Sequence, residues 1–386
     1  MPRKRRRCSI LIVMGPVCIL LLWAGLQTTA EQTATASAAN ADELFRMGIE
    51  AQEKRDFKTA IEDYRKALEL RPSLPEARAN LGAALSATGQ YDLAIEEYKS
   101  ALPDAPDKSA VHRNLGLAYY KKGDMSHARE EFTTVHEARP NDLPTSILLG
   151  YADVKLERQA EAVTLLTPLE AGQESNMDFE YVLGLALLQA GNDAEGISRL
   201  EKVAQATRSA DAYVLAGSAR MRRREFPEAR ADLDTALGLD PSFPGLNSMA
   251  GQARDAVGDS KGSVVAFESA LKADPRDATA NLYLGVIRLK QRDFEGARPL
   301  LALALEVRPD DAQARFQLAK LDGMTGKYAE AAKAMEDLEK ADPSWLDPHV
   351  ELATIYYKLH RPEDGQRERD IVQKIEAEQQ KAGPPK

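Results

Sequence analysis

A small residue returns every 34 positions along almost the whole chain: Gly48, Gly82, Gly116, Gly150, Gly184, Gly217, Gly251, Gly285, Ala319 and Ala353, with one step of 33 between Gly184 and Gly217. Such a period marks a stack of like supersecondary units, none of which buries its apolar face alone. Function is narrowed too, because stacked units bind partners along an extended surface far more often than they build a reaction centre.

With the recurrent small residue counted as position eight, the first unit opens at Ala41. It carries Leu44, Met47, Gly48, Ala60, Tyr64, Ala67 and Pro72; the second repeats this with Leu81, Gly82, Leu85, Ala94, Tyr98, Ala101 and Pro106. The third gives Leu115, Gly116, Tyr119, Ala128, Phe132, Val135 and Pro140. Apolar spacings of three and four within each half are helical. Between halves, Gly89-Gln90, Gly123-Asp124 and Gly258-Asp259 stop one helix and start the next. Each unit is therefore a helix hairpin. The glycine at position eight and the alanine at position twenty are expected at the closest approach of its two helices. Tyr64, Tyr98, Phe132 and Phe267 are expected to fill a wider gap near the end of helix B, which a proline such as Pro72, Pro106, Pro241 or Pro309 then terminates.

These residues resemble the tetratricopeptide repeat, in register ten times over nearly nine-tenths of the chain. The resemblance implies an all-α fold, a right-handed superhelical solenoid of antiparallel helix hairpins. It would span 41–380, with repeats starting near 41, 75, 109, 143, 177, 210, 244, 278, 312 and 346 and a polar capping helix in the last. Departures from the pattern cluster at position four, where Arg78, His112, Ser146, Glu180, Asn247 and Asn281 replace the usual aromatic. Repeats four and five are the most degenerate. Pro168 interrupts a helix B, Arg208 replaces a terminal proline, Gly196 replaces an alanine, and Leu166 and Leu200 take the aromatic place. A shortened helix around Pro168 and a bend or flexing joint over 171–176 are expected.

The chain's ends differ from its body. Arg3, Lys4, Arg5, Arg6 and Arg7 precede a mostly apolar run from Ile10 to Leu26 and a Thr/Ala/Ser-rich stretch to Ala39. Residues 1–30 read as a secretory signal peptide or a membrane anchor, followed by a flexible linker over 31–40. Either reading puts the repeats outside the cytoplasm: periplasmic, secreted or membrane-anchored. Thr28 and Ala30 suit cleavage, and Trp23 suits an interfacial anchor. Net charge is -9, of which the five N-terminal cations supply +5, leaving -14 on the remainder. An acidic body argues against nucleic acid as partner. Cys8 and Cys18 lie in or beside the apolar run, so the body offers no disulfide or thiol nucleophile. At the other end, 363–380 is highly charged, with Ile371, Val372, Ile375 and Ala377 available to face the last hairpin, and 381–386 read as a disordered tail.

Reaction chemistry is not visible. His112, His127, His136, His349 and His360 form no i, i+4 pair, and no acidic residue near in sequence completes a ligand set. They are expected on the surface or in the groove, with no metal, no cofactor and no catalytic residue. Arg220, Arg222, Arg223 and Arg224 suit a helix C-terminus electrostatically; they are also a candidate dock for an anionic partner.

The resemblance further implies that helix A of each repeat lines a concave groove through positions two, five, nine, twelve and thirteen. In repeats three to five these give Arg113, Leu117, Tyr120, Lys121, Ile147, Tyr151, Val154, Lys155, Tyr181, Leu185 and Leu188. Further along they give Ser218, Met221, Arg222, Gln252, Phe316, Lys320, Tyr357 and Lys358. The first cluster suits an extended or helical peptide with apolar anchors and acidic character. A carboxylate clamp of the chaperone-tail type is absent from the first repeat, which has Phe45, Arg46 and Ile49. The function expected is a non-catalytic scaffold for protein or peptide segments in envelope or secretion assembly. The alternative is a module that binds glycan or lipid precursors.

Overall fold

A computed structural model describes residues 39–382, which form twenty α-helices and one short 3-10 turn, with no strand among them. The helices pair as expected. α1 (39–53) is followed by α2 (Phe57–Leu70), then α3 (Pro75–Ala87) with α4 (Tyr91–Ala101) and α5 (Lys108–Lys122) with α6 (Met125–Ala138). α7 (Leu143–Lys155) precedes α8 (Gln159–Leu166), and α9 (Met177–Gln189) precedes α10 (Asp193–Thr207). The rest are α11 (Ala210–Arg222) with α12 (Phe226–Leu239), α13 (Leu246–Ala256) with α14 (Ser260–Ala273) and α15 (Ala278–Lys290) with α16 (Phe294–Val307). α17 (Ala312–Met324) with α18 (Tyr328–Ala341) and α19 (Leu346–Lys358) with α20 (Pro362–Ala382) complete the series. They fall into two compact units divided between Ala190 and Gly191. Within each unit every helix packs on its sequence neighbours, and successive A helices such as α3 and α5, α7 and α9, or α11 and α13 also touch.

Local chemistry starts and stops these helices. Asp56, Asp107, Asp124, Asp259, Asp277, Asp293 and Asp311 each accept a hydrogen bond from the backbone N–H three residues on, as N-caps do. Position fifteen, between the two helices, is left-handed in all ten hairpins. Glycine holds it at Gly89, Gly123, Gly191, Gly258 and Gly326, whereas Arg55, Glu157, Arg224, Arg292 and His360 hold it with φ near 60°. Side-chain-bearing residues adopt that conformation at a cost.

The packing corrects one expectation. The aromatic of helix B does not fill a wide gap; it lies directly on the glycine of helix A sixteen residues earlier. A Cβ added at Gly48 would stand 2.5 Å from the Tyr64 ring, at Gly82 2.8 Å from Tyr98, at Gly116 2.6 Å from Phe132 and at Gly251 2.6 Å from Phe267. Leu166, Leu233 and Leu301 use Gly150, Gly217 and Gly285 in the same way. Where alanine replaces glycine, at Ala319, the residue sixteen on is the flexible Met335, itself fully buried. The last hairpin inverts the arrangement, with Tyr357 of helix A lying on Gly365 of helix B. The alanines at position twenty are fully buried beside these slots: Ala60, Ala94, Ala128, Ala162, Ala229, Ala297 and Ala331.

Pro168 has the effect expected of it. α8 is only eight residues long and ends in the 3-10 turn Thr167–Leu169. The connection onward is a hydrogen-bonded turn (Gln173 N–H to Glu170 O, 2.9 Å; Asn176 N–H to Gln173 O, 2.8 Å) with Gly172 left-handed. At the C-terminus, α20 runs on to Ala382 and buries Gly365, Glu368 and Ile375, whereas Ala377 is exposed. The expected signal or anchor, the linker up to residue 38 and the tail from 383 lie outside the described residues.

Candidate partner-binding cavity

The first unit holds a cavity of about 460 Å³ lined by Tyr120, Leu143, Pro144, Ile147, Leu148, Tyr151, Asn176, Asp178, Tyr181 and Val182. Three A helices supply it: Tyr120 from α5, residues 143–151 from α7, and Asp178, Tyr181 and Val182 from α9, with the N-cap Asn176. Tyr120 and Tyr151 meet edge to face, with ring centroids 5.8 Å apart. Lys121 Nζ lies 5.5 Å from the Tyr120 ring centroid and Lys155 Nζ 5.2 Å from that of Tyr151, so both exposed cations lean on the aromatic wall. Burial pushes the Tyr120 hydroxyl pKa up, and the neighbouring Tyr151 adds to the shift. The result is a mostly apolar concavity with polar tips, the chemistry of a peptide or small-ligand site.

Four sequence-predicted groove residues (Tyr120, Ile147, Tyr151 and Tyr181) are thus brought together. Lys121 and Lys155 sit at the rim, Leu117 is half-buried against the core, and Arg113 faces Asp142 at 4.0 Å. Leu185 is a correction. It is 7% exposed and does not line the cavity; Leu188 and Val154 are likewise buried. Positions nine and twelve of a repeat face outward only where the neighbouring hairpin leaves room. Leu143, Leu148 and Val182 were missed because they belong to repeat positions one and six, whereas Pro144 stands at groove position two and was passed over.

The four arginines do not form a free cationic patch, which corrects the second candidate site. Arg220 is nearly buried between Asp232 (2.5 Å) and Glu201 (2.6 Å). Arg222 pairs with Asp193 at 2.9 Å and Arg223 with Glu225 at 2.7 Å, and Arg224 is the left-handed turn residue. In the same unit Lys320 pairs with Glu351 at 2.7 Å while lying over the buried Phe316, and Arg369 covers Tyr357.

The departures at position four have a structural use. Arg78, Asn281, Arg315 and His349 each donate to the carbonyl of the proline six residues earlier (Pro72, Pro275, Pro309 and Pro343, 2.8–3.2 Å), satisfying a backbone group at the end of the preceding hairpin. Arg78, His112 and His349 also bond the glutamate nineteen residues on: Glu97, Glu131 and Glu368. Position eleven carries a second ladder. An acid there meets an arginine 24 residues earlier, Asp153 with Arg129 and Asp322 with Arg298. Arg254 instead meets Asp234, and Tyr356 meets Glu336, each twenty residues earlier. Burial pushes the Asp153 and Asp232 carboxyls up despite their arginines. The sequence signal for both ladders was a polar residue at an apolar repeat position with a bonding partner 19, 20 or 24 residues away.

His349 is a further correction. Expected on the surface or in the groove, it is 1% exposed, because position four is roofed by the preceding hairpin. With Glu368 and Glu339 it forms a cluster whose ligand atoms all lie within 4.8 Å of one another.

Family models of the tetratricopeptide repeat match residues 51–118, 248–312 and 287–344. In a crystal structure of the APC/C hetero-tetramer Cut9-Hcn1, a chain 12% identical in sequence superposes with a TM-score of 0.51, over 88% of this chain and 94% of that one. A tetratricopeptide repeat protein from Parabacteroides merdae gives 0.50 at 16% identity, over 69% and 99%. These likenesses concern the fold alone. No curated protein sequence matches the chain. The matches fall in both units and identify tetratricopeptide repeats in the chain, in the same register as the helix pairs described above.

Proposed function

We propose that the chain captures an extended segment of a partner protein in the cavity between α5, α7 and α9, and that it does so outside the cytoplasm. Tetratricopeptide arrays are protein–protein interaction scaffolds in general, and the observation that carries this reading is the cavity itself. It combines three tyrosines, an isoleucine and a proline with Lys121 and Lys155 at its rim. Apolar anchors would fill it, and an acidic flank would meet the lysines, although Asp178 bars a uniformly acidic partner. Because helices hold the wall, little ordering entropy is lost on binding. The extracytoplasmic location, and with it a role in envelope or secretion assembly, rests on the basic and apolar N-terminal sequence.

Selection of peptides from a random display library on the full chain tests the site. Apolar-anchored peptides with acidic flanks are expected, and Tyr151→Ala with Tyr181→Ala should weaken them by well over about tenfold, as loss of buried aromatic hot spots does. Helicity should be retained, with some loss of melting temperature because both rings also pack on the neighbouring core. Undiminished binding by that variant refutes the location. Binding of free glycan or lipid precursors, with no peptide selected, would favour the alternative reading, in which the tyrosines stack on sugar rings.

A further inference from the structure

We propose that Glu339, His349 and Glu368 form a site for a divalent transition-metal ion of the zinc class. The three side chains come from three successive helices, α18, α19 and α20. His349 Nε2 lies 3.1 Å from the Pro343 carbonyl, which only accepts, so Nε2 carries a hydrogen. A carbonyl that fixes the ring in this way is the usual outer partner of a metal-binding histidine. It aims Nδ1 at Glu368 Oε2, 2.7 Å away and buried with it. Two lone-pair-bearing atoms at that distance share a proton, which a metal ion would displace on binding.

The third member distinguishes this place from an ordinary ion pair. Glu339 is half-buried, has no hydrogen-bond partner among the described residues, and places a carboxylate oxygen within 4.8 Å of the ligand atoms of both His349 and Glu368. The neighbouring Lys340 is turned onto Asp337 at 3.3 Å, Glu336 accepts from the Tyr356 hydroxyl, and Arg361 pairs with Asp364. Two carboxylates and one neutral imidazole match the charge and donor set of a zinc-type ion, with access for water from the half-exposed Glu339 side.

The repeat supplies its own comparison. His112 and Glu131 reproduce the histidine–glutamate pair at the same two positions, with Nδ1 and Oε2 2.6 Å apart. There the register equivalent of Glu339 is Leu102, packed against the core. The pair is thus used once without the third donor and once with it.

The test uses the full chain, stripped with chelator and alkylated at Cys8 and Cys18, titrated calorimetrically with Zn²⁺ at neutral pH. One-to-one binding is expected, with X-ray absorption of the bound zinc showing one imidazole in its shell. Glu339→Leu, which copies Leu102, should weaken binding by at least about tenfold, since even outer-shell losses reach that size. Glu339→Gln, closer in shape, should weaken it as well. Zn²⁺ should raise the melting temperature of the wild type but not of either variant. Absence of one-to-one binding, or equal affinity in the folded Glu339→Leu chain, overturns the proposal.

Discussion

Replacing Gly251 by alanine sets two effects of opposite sign against each other. In an exposed helix interior, glycine to alanine stabilises by about 1 kcal/mol. At Gly251, however, the new methyl carbon would stand 2.6 Å from Phe267 Cε1 and 2.8 Å from both Cδ1 and Cζ. Ordinary contacts begin near 3.4 Å, so the ring must retreat by most of an ångström, and it is fully buried. Overpacking a filled core costs about 1–3 kcal/mol, and three simultaneous ring contacts place this case at the upper end. The net expectation is a loss of about 2 kcal/mol. Gly238→Ala provides the control, because nothing lies within 4 Å of that position, and it should stabilise by up to about 1 kcal/mol. Stacked repeats unfold in parts, so amide hydrogen exchange in α13 and α14 is the better assay, supported by melting followed by circular dichroism. Phe267→Met in the Gly251→Ala background should restore part of the loss, since that pair recreates Ala319 and Met335. A Gly251→Ala chain as stable as the wild type, or as Gly238→Ala, would refute the slot.

Arg220→Ala should destabilise the second unit by about 3 kcal/mol, because it leaves Asp232 and Glu201 charged and facing each other. Adding Asp232→Asn and Glu201→Gln should recover much of this in a denaturant melt, and no recovery would mean that the arginine acts through packing. Burial pushes the Tyr64 and Tyr98 pKa values up to about 12, above the value of 10 that the unfolded chain has. The folded state keeps those protons longer, so their contribution is intact below pH 10 and is lost as pH rises from 10 toward 12. Tyrosinate absorbance at 295 nm should show a late group, with Tyr64 and Tyr98 joined by the raised Tyr356, that ionises together with unfolding; ionisation of every tyrosine near 10 in a folded chain contradicts this. Arg292→Gly, at a left-handed turn, should stabilise its hairpin by about 0.5–1 kcal/mol, and a lower melting temperature would show that the turn is not strained.

Much of the candidate site was legible beforehand. Tyr120, Ile147, Tyr151 and Tyr181 were reached by counting positions, because in a repeat one register assigns every helix its facing. Counting failed at Leu185, which shares position nine with Tyr151 yet is buried. It failed again at the arginine run, where Asp232 lies twelve residues on and Asp193 lies 29 back. Whether a side chain is free is decided by what the next hairpin places against it.

The sequence by itself determined the hairpins, their number, their caps and the short helix before Pro168. These follow from local periodicity, from amide-binding aspartates and from proline's missing donor, all acting within a few residues. Only the tertiary structure decided which residue fills each glycine slot sixteen positions away and which charges cancel across repeats. It alone brought a histidine and two glutamates from three helices together. Those outcomes depend on how closely helices approach, and approach is set by the packed side chains of neighbouring hairpins.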